Sequence, residues 1–174
     1  MRIPGTRSLV GTLLLCSLAL LTFGLDSAQA LTSLRIQAVM TPKAAMKFDF
    51  PTAQRHFVLL VRREGTVEGQ GIWQGAKAVE YGMHDIRPGD TGVARGYVVL
   101  TLSSGAQAFI QWQVQATFVR GPGGKPKLLD NGVWRFVGGT GTLQGIKGAG
   151  IMHIKPVSRT DRRFIFTGQY VLPQ

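Results

Sequence analysis

Between Gln107 and Phe118 the chain alternates almost perfectly. Ala108, Ile110, Trp112, Val114, Ala116 and Phe118 fall on one face, and Gln107, Gln111, Gln113, Gln115 and Thr117 on the other, with Phe109 the one exception. A strand separates these two sets cleanly, whereas a helix would scatter them around its circumference. The run is long for an open sheet and natural for the tilted strands of a barrel. The same period recurs in "LRIQAVM" (Leu34, Ile36, Ala38, Met40) and in "MKFDF" (Met46, Phe48, Phe50). "GYVVLTLSSG" reads as a buried strand that turns at Ser104-Gly105 into the glutamine strand as a hairpin, and "RFIFTGQYVLP" closes the chain. Residues 52–64, "TAQRHFVLLVRRE", fit either a strand or a helix.

Turn chemistry separates these runs at short intervals: "REG", "RPGD", "SSG", "RGPGGKP", "DNG" and "PVSRTD". Eight or nine strands therefore fit into the chain with no room for crossover helices. The expected fold is all-β, a single antiparallel sandwich or closed barrel, and the barrel is favoured because closure hides its edges.

The first thirty residues lie outside this pattern. A basic start (Arg2, Arg7), an apolar run to Leu25 and the small-residue ending "SAQA" have the form of a secretory signal peptide, with cleavage expected after Ala30. Residues 31–174 would then form one β-barrel domain with no transmembrane helix left after cleavage. Cys16, the one cysteine, leaves with the signal, so an exported domain must be stable without disulfides. A periplasmic or secreted protein, bacterial in character, is the expectation. Arg2, Arg7 and Asp26 also leave, which takes the net charge from +11 to +10. That excess favours anionic partners such as envelope polymers. The basic residues are scattered, however, and no aromatic-plus-basic signature of nucleic-acid binding is present.

The glycine-rich stretch "WRFVGGTGTLQGIKGAGIMHI" raises the question of a phosphate loop. In a dinucleotide fingerprint Gly139 and Gly141 would be followed by a third glycine at 144, which is Gln; Gly145 comes one residue late. Lys147 is flanked by Ile146 and Gly148, which rules out a P-loop. The glycines instead suit a strand, a sharp bend and a returning strand, "GVWRFVGG" to "GAGIMHIKP". The motif "FVGGTGTLQGIKGAG" resembles the hallmark of the dirigent and allene oxide cyclase-like β-barrels, and "TGVARGYVVL" is similar to an earlier strand of those proteins. The resemblance is good over 132–150 and fair over 91–118. It implies an eight-stranded antiparallel barrel with a mostly apolar cavity, often assembled as a homotrimer. Members of that superfamily guide radical coupling or cyclise a reactive intermediate.

The chemistry open to the chain is narrow. No serine lies in a nucleophile elbow, and His56, His84 and His153 lack zinc-site spacing, so neither a metal nor another cofactor is expected. Acid–base groups gather only in "AKAVEYGMHDI". There Glu80, Gly82 and His84 share one strand face, and Tyr81, Met83 and Asp85 the other. Counting about 3.3 Å per residue places Glu80 and His84 about 13 Å apart, able to look into one cavity but not to bond directly. Glu80, Tyr81 and His84 are the catalytic candidates. A Glu80 in an apolar lumen would suit proton transfer or a polar ligand head, and an outward Glu80 would be an ordinary surface group. Tyr97, Trp112, Trp134 and Phe136 would line the lumen if they face inward, either as core filler or as a ligand pocket. Three functions follow: a barrel holding a small, mainly apolar ligand; a cyclase or isomerase; and an envelope protein that binds anionic polymers through its basic surface.

Overall fold

The computed structural model describes residues 30–51 and 55–172, so the expected signal segment falls outside the described residues apart from Ala30. Eight strands form one closed antiparallel barrel in chain order: β1 (Thr32–Asp49), β2 (Phe57–Glu68), β3 (Lys77–Arg87), β4 (Thr91–Thr101), β5 (Gln107–Arg120), β6 (Pro126–Gly139), β7 (Lys147–Pro156) and β8 (Arg162–Val171). β8 closes on β1 with Thr32 opposite Tyr170 and Met40 opposite Arg162. The ambiguous segment is strand from Phe57 onward. "LRIQAVM" and "MKFDF" belong to one strand, β1, whose register shifts between Pro42 and Ala44. Among the described residues no helix is long and apolar enough to cross a membrane.

Two expected turns are corrected. "REG" lies inside β2 and "DNG" inside β6. Their glycines serve close packing rather than reversal. A Cβ on Gly65 would stand 2.4 Å from the Val39 carbonyl oxygen, and one on Gly132 would stand 2.4 Å from Val114 Cγ2. Only hydrogen fits at these inward positions.

One end of the barrel is plugged twice by the same device. The β2–β3 connection, "GIWQGAK", and the β6–β7 connection, "GTLQGIK", each make a single 3-10 turn, Gly71–Trp73 and Gly141–Leu143. Each begins on a glycine at positive φ (61° and 57°) and is followed by another (Gly75, 77°; Gly145, 87°). Such backbone is open to glycine and costly for other residues. The third residue of each turn, Trp73 or Leu143, drops into the lumen and is buried. From Trp73 a column of touching rings runs along the axis. Trp73 stacks on Phe136, Phe136 meets Trp134, Trp134 meets Phe166, Phe166 meets Phe164, and Phe164 meets Trp112, with centroids 5.2–6.4 Å apart. The plugged half of the barrel is thus a filled core, as barrels of this size allow.

Candidate functional site

The aromatic column ends at His84, whose ring lies 5.9 Å from that of Trp112. Here the lumen changes character. Alternation along β2 turns Val61, Arg63, Gly65 and Val67 inward, and alternation along β3 turns Ala78, Glu80, Gly82 and His84 inward. Arg63 and Glu80 are opposite each other in the β2–β3 register. Their side chains are 3% and 0% exposed as residues, and His84 is 8% exposed. Arg63 Nη1 donates to Glu80 Oε2 at 2.7 Å and also lies 3.1 Å from His84 Nε2. His84 Nε2 is 3.0 Å from Glu80 Oε1.

This geometry corrects the expectation that Glu80 and His84 cannot bond. Counting along the strand measured their backbones, whereas the side chains lean toward each other over Gly82. A Cβ on Gly82 would fall 2.2 Å from Glu80 Oε1 and 3.0 Å from His84 Nε2. The missing side chain is the space in which the two groups meet. Gly96, opposite Gly82 on β4, has the Tyr81 carbonyl oxygen 2.2 Å from its virtual Cβ, so the two strands can approach closely there.

Proton accounting shows why the cluster is chemically unusual. An arginine only donates, an ionised carboxylate only accepts, and a single imidazole nitrogen does one or the other. His84 Nε2 faces a donor on Arg63 and an acceptor on Glu80 at once. Carrying a proton, it bonds Glu80 and opposes Arg63; without one, it accepts from Arg63 and leaves the near carboxylate oxygen without a donor. Neither state of that nitrogen satisfies both neighbours at once. Arg63 Nε is buried and has no partner among the described residues. A further cation stands nearby at the start of β8. The Arg162 guanidinium titrates below its ordinary range, chiefly because it is partly buried and secondarily because of the charge of Arg63, with Asp161 and Glu80 pulling it back up.

The cluster lies toward the end away from the plugs. Beyond it, Leu59, Ile86, Ala116, Phe118 and Leu128 continue the inward alternation of their strands and are only half-buried. They form an apolar collar above a polar floor. Of the residues singled out in the sequence, Glu80 and His84 come together in the lumen. Trp112, Trp134 and Phe136 are inside but belong to the packed column, where Trp134 Nε1 donates to the Thr167 carbonyl at 3.1 Å. Tyr81 and Tyr97 face outward, 52% and 47% exposed, so Tyr97 is not a lumen residue. His56 stacks on Phe50 and pairs with Asp85 at 2.6 Å. His153 lies 3.3 Å from Asp130 on the opposite wall.

Sequence reasoning missed Arg63 and Asp130. Both were legible as parity: Arg63 keeps step with Val61 and Val67, and Asp130 with Gly132, Trp134 and Phe136. The Asp130 carboxylate, 1% exposed, accepts from the Ile154 amide at 2.7 Å and from Lys155 Nζ. It bridges β6 and β7 where their backbone pairing, confined to Gly132–Arg135 against Ala149–Met152, has stopped.

No family model matches the chain, and no curated protein matches it. Among solved structures it is similar to a pterocarpan synthase dirigent protein, with a TM-score of 0.51 and 12% identity over 92% of this chain and 98% of the other. It also aligns with a β-barrel-like protein from Acinetobacter baumannii at a TM-score of 0.49 and 13% identity, over 83% of this chain and 96% of the other. Eight strands in simple antiparallel order, closed on themselves, and the likeness to the first of these structures give the chain a dirigent-like β-barrel fold.

Proposed function

We propose that this protein binds a small, mainly apolar molecule in the half of the lumen beyond the aromatic column, with a polar group of the ligand meeting Arg63, Glu80 and His84. One observation carries the reading: a charged cluster, almost wholly buried, at the floor of an apolar collar. Burying two charges is costly, and an apolar pair of similar size is often equally stable or more so. A cluster held at that cost, with an unpartnered Arg63 Nε, favours a role in recognition. The protein would act outside the cytoplasm, after cleavage at Ala30. Native mass spectrometry of residues 31–174 purified from a periplasm, compared with the denatured chain, tests this. A discrete excess mass that disappears on denaturation, and is lost in Arg63→Met, is the expected result. A bare wild-type chain overturns the reading.

The contact between Glu80 and His84 supports a second reading, a cyclase or isomerase in which these two groups move a proton on the bound molecule. Tyr81, on the outer face, has no part in it. The discriminating variant is Glu80→Gln, which keeps shape and removes the charge. Turnover of the extracted ligand that is abolished, with occupancy nearly intact, supports the enzyme. Unchanged ligand chemistry on prolonged incubation with the wild type supports the binder.

A further inference from the structure

The outer wall carries a second site that neither the lumen cluster nor the fold explains. In the barrel register Arg62, Tyr81, Tyr97, Gln111 and Arg135 are successive partners across β2 to β6, a single transverse row on the outside. Four inter-strand steps separate its two arginines, about 19 Å measured along the curved wall, so the row wraps half of the barrel. Alongside runs a second row, with Leu60 opposite Met83, Met83 opposite Arg95, Arg95 opposite Gln113 and Gln113 opposite Val133. The two rows line a groove of about 1150 Å³, walled at one side by Ala44–Met46 of β1.

Its chemistry is one-sided. No aspartate or glutamate is among the described residues that line it. Arg62 is neutralised by Glu64 just outside, but Arg95 and Arg135 have no carboxylate partner among the described residues. The centre of the first row is already organised. Arg135 Nε donates to Gln111 Oε1 at 2.9 Å, and this fixes the amide so that Gln111 Nε2 donates to Tyr97 Oη at 3.2 Å. Both ends of Gln111 are thereby used. What remains to face a ligand is the Tyr97 proton, the terminal nitrogens of Arg135 and the guanidinium of Arg95, all of them donors, with the Gln113 amide beside Arg95 able to donate or accept. Around these lie exposed apolar groups: Leu60 at 46%, Tyr81 at 52%, Val133 at 63%.

We propose that this groove binds an amphiphilic organic anion, a carboxylate-like or sulfonate-like head between Tyr97, Arg95 and Arg135, its apolar body along Tyr81, Leu60 and Met83. A centre rich in donors, with two arginines and no carboxylate, favours an acceptor-rich, negatively charged group, and arginine pairs with such groups in a planar, two-pronged fashion. A second copy presenting the same face across a two-fold axis would set arginine against arginine. A flat membrane would not fill a concave groove.

The test uses two fluorescent probes that differ only in a sulfonate, 8-anilinonaphthalene-1-sulfonate and N-phenyl-1-naphthylamine, titrated into residues 31–174. The sulfonate should bind at one site per chain at least tenfold more tightly than the neutral probe, and the difference should shrink as salt rises. Arg135→Gln and Arg95→Gln should each weaken the sulfonate about tenfold and leave the neutral probe unchanged, the loss expected of a charge-assisted bond. The double variant Arg63→Met/Glu80→Leu, which removes both charges of the lumen cluster, should leave this binding intact. Equal affinity for both probes overturns the proposal. So does sulfonate binding lost in Arg63→Met/Glu80→Leu but kept in Arg135→Gln, which would assign the probe to the lumen. A native mass showing an oligomer that Arg135→Glu dissociates would assign the groove to a second copy and also overturn it.

Discussion

If the Arg63–Glu80–His84 cluster serves recognition and not architecture, its removal should follow an unusual pattern. Glu80→Gln leaves Arg63, 3% exposed, with no opposite charge in reach; Arg63→Met leaves Glu80, 0% exposed, with only His84. Breaking one side of a buried ion pair costs about 3–5 kcal/mol, whereas replacing both sides by apolar groups of similar volume is often neutral or stabilising by about 1–4 kcal/mol. Both groups here are shielded almost completely, which puts the single variants at the full cost. The double variant Arg63→Met/Glu80→Leu removes both charges and leaves His84 packed against Trp112. Equilibrium unfolding in urea reads this directly, because Trp73, Trp112 and Trp134 are all 2% exposed and report loss of the core. With a slope of about 2 kcal/mol per molar for a domain of this size, each single variant should lower the midpoint by about 1.5–2.5 M. The double variant should unfold at or above the midpoint of the parent. If the double variant instead loses about as much as the two single variants together, the cluster is a structural pillar. The argument that its burial signals function then fails.

Other substitutions probe the glycines and the β6–β7 seam. Gly82→Ala drives a methyl into the 2.2 Å approach of Glu80 Oε1, and should cost about 1–3 kcal/mol by thermal unfolding. Gly150→Ala meets backbone, with the Thr167 carbonyl oxygen 2.0 Å away and Gly168 Cα 2.6 Å away. It should destabilise by more than about 4 kcal/mol or abolish soluble protein, seen as loss of near-ultraviolet circular dichroism. Asp130→Ala strands the Ile154 amide, and should raise hydrogen exchange first at residues 126–131 and 153–156, ahead of the rest of the barrel.

The barrel was legible because its strongest signal is local. Trp112, Trp134 and Phe136 sit inside as strict alternation requires, and Gln111 and Gln113 sit outside. The exception, Phe109, is opposite Gly138 at the point where the β5–β6 register shifts, so the break in pattern marked a real irregularity. Glycine was the ambiguous letter. At Gly105 it makes the expected turn with φ 85°, but at Gly65 and Gly132 it marks backbone approach inside a strand. Charge next to glycine reads as a turn in sequence, and only the neighbouring strand shows that the position faces inward.

The same limit explains what was seen and missed in the site. Glu80 and His84 were found as a pair because they share a face, yet their contact was not, since it depends on what Gly82 lacks. Arg63 was hidden by the doublet Arg62-Arg63, which looks like a solvated surface. One of the two must face inward in any strand, and parity with Val61 and Val67 says which. Tyr97 shows the opposite case: its residue type makes it a lumen candidate if it faces inward, and alternation with Val98 and Leu100 turns it outward. Residue type suggested filler for the inside and charge for the outside. Position assigned Arg63 to the lumen and Tyr97 to the outer wall, and both candidate sites of this barrel lie at such reversals.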